Sequence, residues 1–137
     1  MKIGELATHA GCDVQTVRYY EREGLLEAPA RDASGYRHYA ARHLERLCFI
    51  RHCRSLDISL AEIAQLLAYS DAPAQNCHEV NALIDEHIAR VRQRRSALLA
   101  LERQLVTLRG ACRGADPTRS CAILDSFMDA AADAAAA

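Results

Sequence analysis

The residues able to do chemistry in this sequence are mainly cysteines and arginines. Six cysteines stand at 12, 48, 53, 77, 112 and 121. Cys112 and Cys121 flank a loop containing glycine and proline, ACRGADPTRSC (111–121). Two thiolates separated by eight residues in a turn can converge on one soft metal ion. The same pair could serve as a thiol redox switch, so spacing alone leaves two readings. Cys77 lies at the other end of a long helical pattern, with His78 beside it as a further donor. Cys48 and Cys53 lie in one expected helix, five residues apart, and share no face; Cys12 falls in a turn. Those three read as small buried hydrophobes.

Arginine chemistry gathers in the first half. In DVQTVRYYEREGLL (13–26), Gln15, Arg18 and Arg22 point largely one way, with Tyr19 nearby. Arginine can make two bonds to guanine, glutamine can read adenine, and a tyrosine hydroxyl can bond to phosphate. Residues 14–54 hold eight arginines against five acids, a local excess of +3 in a chain whose net charge is −1. A globally basic nucleic-acid binder is excluded, but a basic face is not. The plain alternative is a solvated helix with ordinary ion pairs, such as Arg18 with Glu21.

The elements that position these residues follow from periodicity and punctuation. Ile3, Leu6, Ala7 and Ala10 share one helical face. Gly11-Cys12-Asp13 breaks that helix, and Asp13 is placed to cap a second one, Val14 to about Glu23, ended by Gly24. Two short helices around a tight turn form a helix-turn-helix. PARDASGYRHY (29–39), with its Ser34-Gly35 turn, predicts a short hairpin or wing. A helix is expected from about Ala40 to Leu56, and Ser59 with Glu62 forms a capping box for another. A proline-containing loop, DAPAQN (71–76), then leads into a long helix.

That helix carries Val80, Ile84, His87, Val91, Arg94, Leu98, Leu101, Leu105 and Leu108 in unbroken 4-3 spacing. This is a heptad seam, with His87 as a register residue, and it predicts packing on a second copy; packing on residues 40–70 of the same chain is the competing arrangement. A helix of about 33 residues spans roughly 50 Å. Cys77 therefore cannot reach Cys112 of its own chain, but an antiparallel partner helix would bring the other subunit's Cys77 to the loop. Three thiolates would then meet twice per dimer. Gly110, Gly114 and Pro117 end the long helix; a short helix (Ala122 to about Met128) and a frayed alanine tail follow.

The fold class is thus all-α dominated: a winged helix-turn-helix (1–70), a linker and dimerisation helix (71–110), and a metal-binding loop with a short helix and tail (111–137). No apolar run approaches the roughly 18 residues of a membrane helix. No export signal is seen, so a reducing cytosol is expected and disulfides are not. No glycine-rich phosphate loop, H-E-x-x-H or G-x-S-x-G occurs, which argues against an enzyme.

The motifs IGELA (3–7), TVRYYEREGLL (16–26), YRHY (36–39), HLERLCFIRHCRSLDISLAEI (43–63), CHEVNALIDEHI (77–88) and the C-x8-C loop resemble the MerR family of metal-responsive transcription regulators over nearly the whole chain. NALIDEHI and CRGADPTRSC look most like its cadmium- and lead-responsive branch. The resemblance implies an antiparallel coiled-coil homodimer on double-stranded promoter DNA. Gln15 and Arg18 would lie in the major groove, and Tyr20, Arg31, Tyr36, Arg37 and Arg54 would contact phosphate. Cys112 and Cys121 would bind Pb2+ or Cd2+, with Zn2+ and Hg2+ as lesser candidates, and Cys77 from the partner subunit would select for divalent ions. It further implies repression without metal, and DNA distortion with metal that RNA polymerase then uses. Two departures stand out: His38 replaces the wing's usual apolar residue, and neither the loop nor the tail contains histidine.

Overall fold

The computed structural model describes residues 1–115 and 120–136. Pro117 lies outside the described residues. The chain divides into two compact units, Met1–His87 and Ile88–Ala137.

The first unit opens with α1 (Ile3–Ala10) and α2 (Val14–Arg22). Gly11 ends α1 in the left-handed conformation, φ 68°. Asp13 caps α2 by accepting a hydrogen bond from the Thr16 amide at 2.7 Å. That bond holds the Asp13 carboxyl below its ordinary range. The wing is β1 (Ala30–Arg31) paired antiparallel with β2 (Arg37–His38), Ala30 opposite His38 and Arg31 opposite Arg37. Next come α3 (Ala41–Ser55) and α4 (Leu60–Tyr69), the latter opened by the Ser59–Glu62 capping box. Leu6, Val17, Leu26, Leu47, Ile50 and Ile63 are fully buried and form one core with Tyr20 and Tyr39. Each such side chain contributes roughly 1.5–3 kcal/mol by leaving water.

The expected loop at 71–76 is instead mostly helix: α5 runs from Pro73 to Gly110, 38 residues. Proline is well tolerated at the first helical position, where its missing N–H would have no partner. The corner before it is tied by Asn76, whose Nδ2 donates to the Ala72 carbonyl at 3.0 Å and the Tyr69 carbonyl at 3.4 Å. Residues 73–87 of α5 belong to the first unit, where Leu83 is buried and Val80 and His87 are half-buried. His87 Nε2–H donates to the Leu56 carbonyl at 2.7 Å. This part of the heptad face thus packs on its own chain, the arrangement that competed with dimerisation at the sequence level.

The second unit holds the rest of α5 and α6 (Ala122–Ala136). The short helix expected to stop near Met128 continues through the described part of the alanine tail. Alanine has the highest helix propensity, and Asp125 in the first turn suits the helix dipole. No described side chain of this unit is buried: Val91, Leu98, Leu101 and Leu105 on α5, and Leu124, Phe127 and Met128 on α6, are all exposed.

The turn between α1 and α2 tolerates little. A Cβ on Gly11 would stand 3.1 Å from Arg51 Nη1, which itself donates to the Ala10 carbonyl. Gly11→Ala should therefore lower unfolding free energy by about 1–2 kcal/mol. Urea titration checks this: the midpoint should fall with an unchanged slope.

Candidate nucleic-acid interface and metal loop

Helix α2 presents Gln15, Arg18 and Arg22 on an exposed face, as its periodicity requires. The Arg22 guanidinium lies 6.0 Å from the centre of the Tyr19 ring, which is exposed. Arg18, Glu21 and Arg22 line a surface depression of about 320 Å3 together with Ile3 and Arg37 of the wing. Helix α2 and the wing therefore share one cationic recess.

Glu21 does not pair with Arg18 in an ordinary helix-surface bridge. Its Oε2 accepts from Arg37 Nη1 at 3.1 Å, and its Oε1 accepts from the Tyr39 hydroxyl. Burial, reinforced by that carboxylate, pushes the Tyr39 phenol up to about 12. Tyr39 is also fixed through its backbone, donating to the Met1 carbonyl and accepting from the chain's terminal amine.

The tip of the wing is organised by Asp32. Its Oδ1 accepts from the Ser34 amide at 2.8 Å and the Tyr36 amide at 3.0 Å, and its Oδ2 pairs with His38 Nε2 at 2.9 Å. The histidine that departs from the usual wing pattern therefore has a polar partner, which an apolar residue would leave unused. Arg31 Nη1 donates to the Gly35 carbonyl at 3.0 Å, and Tyr36 projects, 67% exposed. Arg54 is exposed and ties the α3–α4 turn by donating to the Ile58 carbonyl at 2.8 Å. Tyr20 differs from the other expected phosphate contacts. Its ring belongs to the core and is 8% exposed, so any such contact must come from the hydroxyl edge.

Cys112 and Cys121 line one cavity of about 500 Å3 with Arg113, Gly114 and Ser120. Both are free and exposed thiols, a donor set suited to a soft ion. Among the described residues no three metal-donor side chains stand together. Cys77 is also free and exposed, and it lies inside α5 rather than ahead of it. Of the three cysteines read as buried hydrophobes, Cys53 is buried and Cys12 half-buried, but Cys48 faces solvent on α3. A one-residue displacement around a helix moves a side chain by about 100°, so Cys48 next to buried Leu47 is carried off the core face.

Sequence reasoning placed Glu21 only as a surface partner of Arg18, and it assigned no role to Asp32. The D-A-S-G run carries the signal for the second, because aspartate ahead of a turn bonds to amides two residues on. No comparable signal marks Glu21, whose partners lie 16 and 18 residues away.

Hydrogen bonds to the Asp32 carboxylate, first that from Tyr36, lower its pKa. A depressed carboxyl stabilises the fold above its unfolded value of about 3.9 and loses that contribution as pH falls through the folded value. The Ser34 and Tyr36 amide resonances should shift together as pH falls below about 4. Asp32→Ala should abolish the joint transition.

Comparison with known proteins joins these features. Residues 1–70 match the model of the MerR HTH family regulatory protein, and residues 44–108 match that described as MerR, DNA binding. The chain is 47% identical over 109 residues to the HTH-type transcriptional regulator ZntR homolog of Haemophilus influenzae, covering 80% of this chain and 81% of that one. It is similar to the crystal structure of the transcription regulator PbrR691 from Ralstonia metallidurans CH34 in complex with lead(II), with 54% identity, a TM-score of 0.83, and coverage of 93% of this chain and 98% of that one. A Bacillus megaterium MB1 MerR in complex with mercury(II) is 30% identical, with a TM-score of 0.71, and coverage is 93% of this chain and 99% of that one. No helix among the described residues is long and apolar enough to cross a membrane. With the helix-turn-helix, the wing and these matches in agreement, the chain belongs to the MerR family of helix-turn-helix transcription regulators, which are not enzymes.

Proposed function

We propose that this protein is a homodimeric, metal-dependent transcription activator that represses without metal and responds to a soft divalent ion, lead(II) or cadmium(II) ahead of mercury(II) and zinc(II). The observation that carries this reading is the pair of exposed thiols, Cys112 and Cys121, opening into one cavity. The lead-bound relative at 54% identity supports the choice of ion. In this reading the dimer divides its labour among residues 1–70 for DNA, 71–110 for dimerisation and 111–137 for metal.

The apolar face of α5 left exposed at Val91, Leu98, Leu101 and Leu105 supports an antiparallel coiled-coil dimer. That packing would place Cys77 of the partner subunit beside Cys112 and Cys121. Three thiolates carry a charge of −3, which favours a divalent over a monovalent ion. Bound metal supplies a fixed cross-link between protomers there; the thiols supply softness and charge.

At the other end, Gln15 and Arg18 would read base edges in the major groove, while Arg31, Tyr36, Arg37 and Arg54, with the Tyr20 hydroxyl edge, would hold the backbone. Metal binding acts by favouring one of two dimer states that differ in how they deform the promoter, and RNA polymerase uses the deformed form.

Arg18→Ala should weaken binding to the regulated promoter by roughly 1–3 kcal/mol and relax its sequence preference. Electrophoretic mobility shifts on promoter and scrambled duplexes measure this, and unchanged preference would remove Arg18 from base readout.

The shared metal site is tested with mixed dimers. A Cys77→Ser chain paired with a Cys112→Ser/Cys121→Ser chain should bind one lead ion tightly in thiol competition, whereas each mutant homodimer should bind none. If the site lay within one chain, no complete site would survive in the mixed dimer. A thiol oxidant that induces the promoter reporter as well as lead does would favour the redox reading instead.

A further inference from the structure

An acidic side chain on a DNA-binding face repels phosphate, so its presence there calls for a reason. Glu21 lies on the recognition helix within the same recess as Arg18, Arg22 and Arg37. Its side chain is 13% exposed, against 43% for that of Arg37. Both carboxylate oxygens are engaged, one by Arg37 at 3.1 Å and one by the Tyr39 hydroxyl. Each partner lies on or just beyond β2, whereas Glu21 belongs to α2. The carboxylate is therefore a tie between wing and recognition helix.

The bond to Glu21 uses Nη1 of Arg37, whose guanidinium also faces the Tyr39 hydroxyl. Guanidinium is planar and carries five N–H donors, so one anchored nitrogen restricts its orientation while leaving further donors for phosphate. An arginine held in this way loses less side-chain freedom on meeting phosphate than an unanchored one. Arg31 shows a parallel arrangement, with Nη1 held by the Gly35 carbonyl.

We propose that Glu21 is a positioning residue for DNA binding, touching no DNA itself but fixing the wing and the Arg37 guanidinium against the recognition helix. This rests on the reading of Arg37 as a phosphate contact. The sign of the effect separates the proposal from plain electrostatics. Removing an acid from a DNA-binding face tightens binding if the acid only repels, and weakens it if the acid positions an arginine.

The test uses the full-length dimer and a duplex of arbitrary sequence, with affinity measured across a salt series. Arg37→Ala should weaken binding and lower the slope of log K against log salt by about 0.9 per subunit. Glu21→Ala should weaken binding several-fold and lower the slope in the same direction. The double variant Glu21→Ala/Arg37→Ala should be no weaker than Arg37→Ala alone, because the acid acts through the arginine. Tighter binding by Glu21→Ala, an unchanged slope, or fully additive losses would overturn the proposal. If Glu21→Ala does not fold, Glu21→Gln decides on the same slope, since its amide oxygen still accepts from Tyr39. An Arg37→Ala slope equal to that of the unmodified protein would defeat the phosphate reading itself, and the role of Glu21 with it. A lowered slope in Arg37→Ala alone would defeat only the role of Glu21.

Discussion

One chain has enough partners to bury the apolar surface of its first unit and too few for the second. Leu6, Val17, Leu47, Ile50 and Ile63 close a core among four helices, while Leu98, Leu101 and Leu105 of α5 keep 49–63% of their surface in water. The hydrophobic effect acts on both halves alike, so the difference lies in the supply of neighbouring chain. The first unit can hold a recognition surface rigid by its own packing. The second offers thiols at the margin of a surface that remains to be covered. In the proposed dimer, Cys77 of the first unit and the loop thiols of the second would join ligand binding to assembly.

Within the first unit, rigidity is built from polar ties as well as from the core. Asp13 caps α2, Asp32 gathers the wing tip, and Glu21 connects the two. Arg51 and Arg54 donate to backbone carbonyls at the ends of α1 and at the α3–α4 turn. The arginine excess in residues 14–54 is therefore not wholly available to nucleic acid. Part of it satisfies carbonyls that helix termini leave without partners.

Local signals made much of this readable in the sequence. Asp13, Gly24 and the Ser59–Glu62 box act within one turn of chain, and the helix limits they predict agree closely with α2 and α4. Heptad spacing identified α5 and its apolar face. Pro73 misled, because proline breaks a helix interior but suits a first turn, and one residue type carries both meanings. The alanine tail misled because its low complexity suggested fraying while its propensity favours helix. Cys48 was misplaced because helical phase decides burial at that position more than residue type does. Cys112 and Cys121 stood out as a pair from their loop, and both line one cavity. The Glu21 tie was not legible, since it joins residues brought together only by the α2–wing packing.

Helix α6 has 15 residues and not one buried side chain. A helix of that length on its own lies near the balance point between helix and coil in water, even when alanine-rich. Its order is therefore worth little free energy in either direction. A contact contributing only about 1 kcal/mol would therefore change its helix-to-coil ratio roughly fivefold. Backbone circular dichroism would then register any such contact as a change in helical content rather than as a movement of rigid parts.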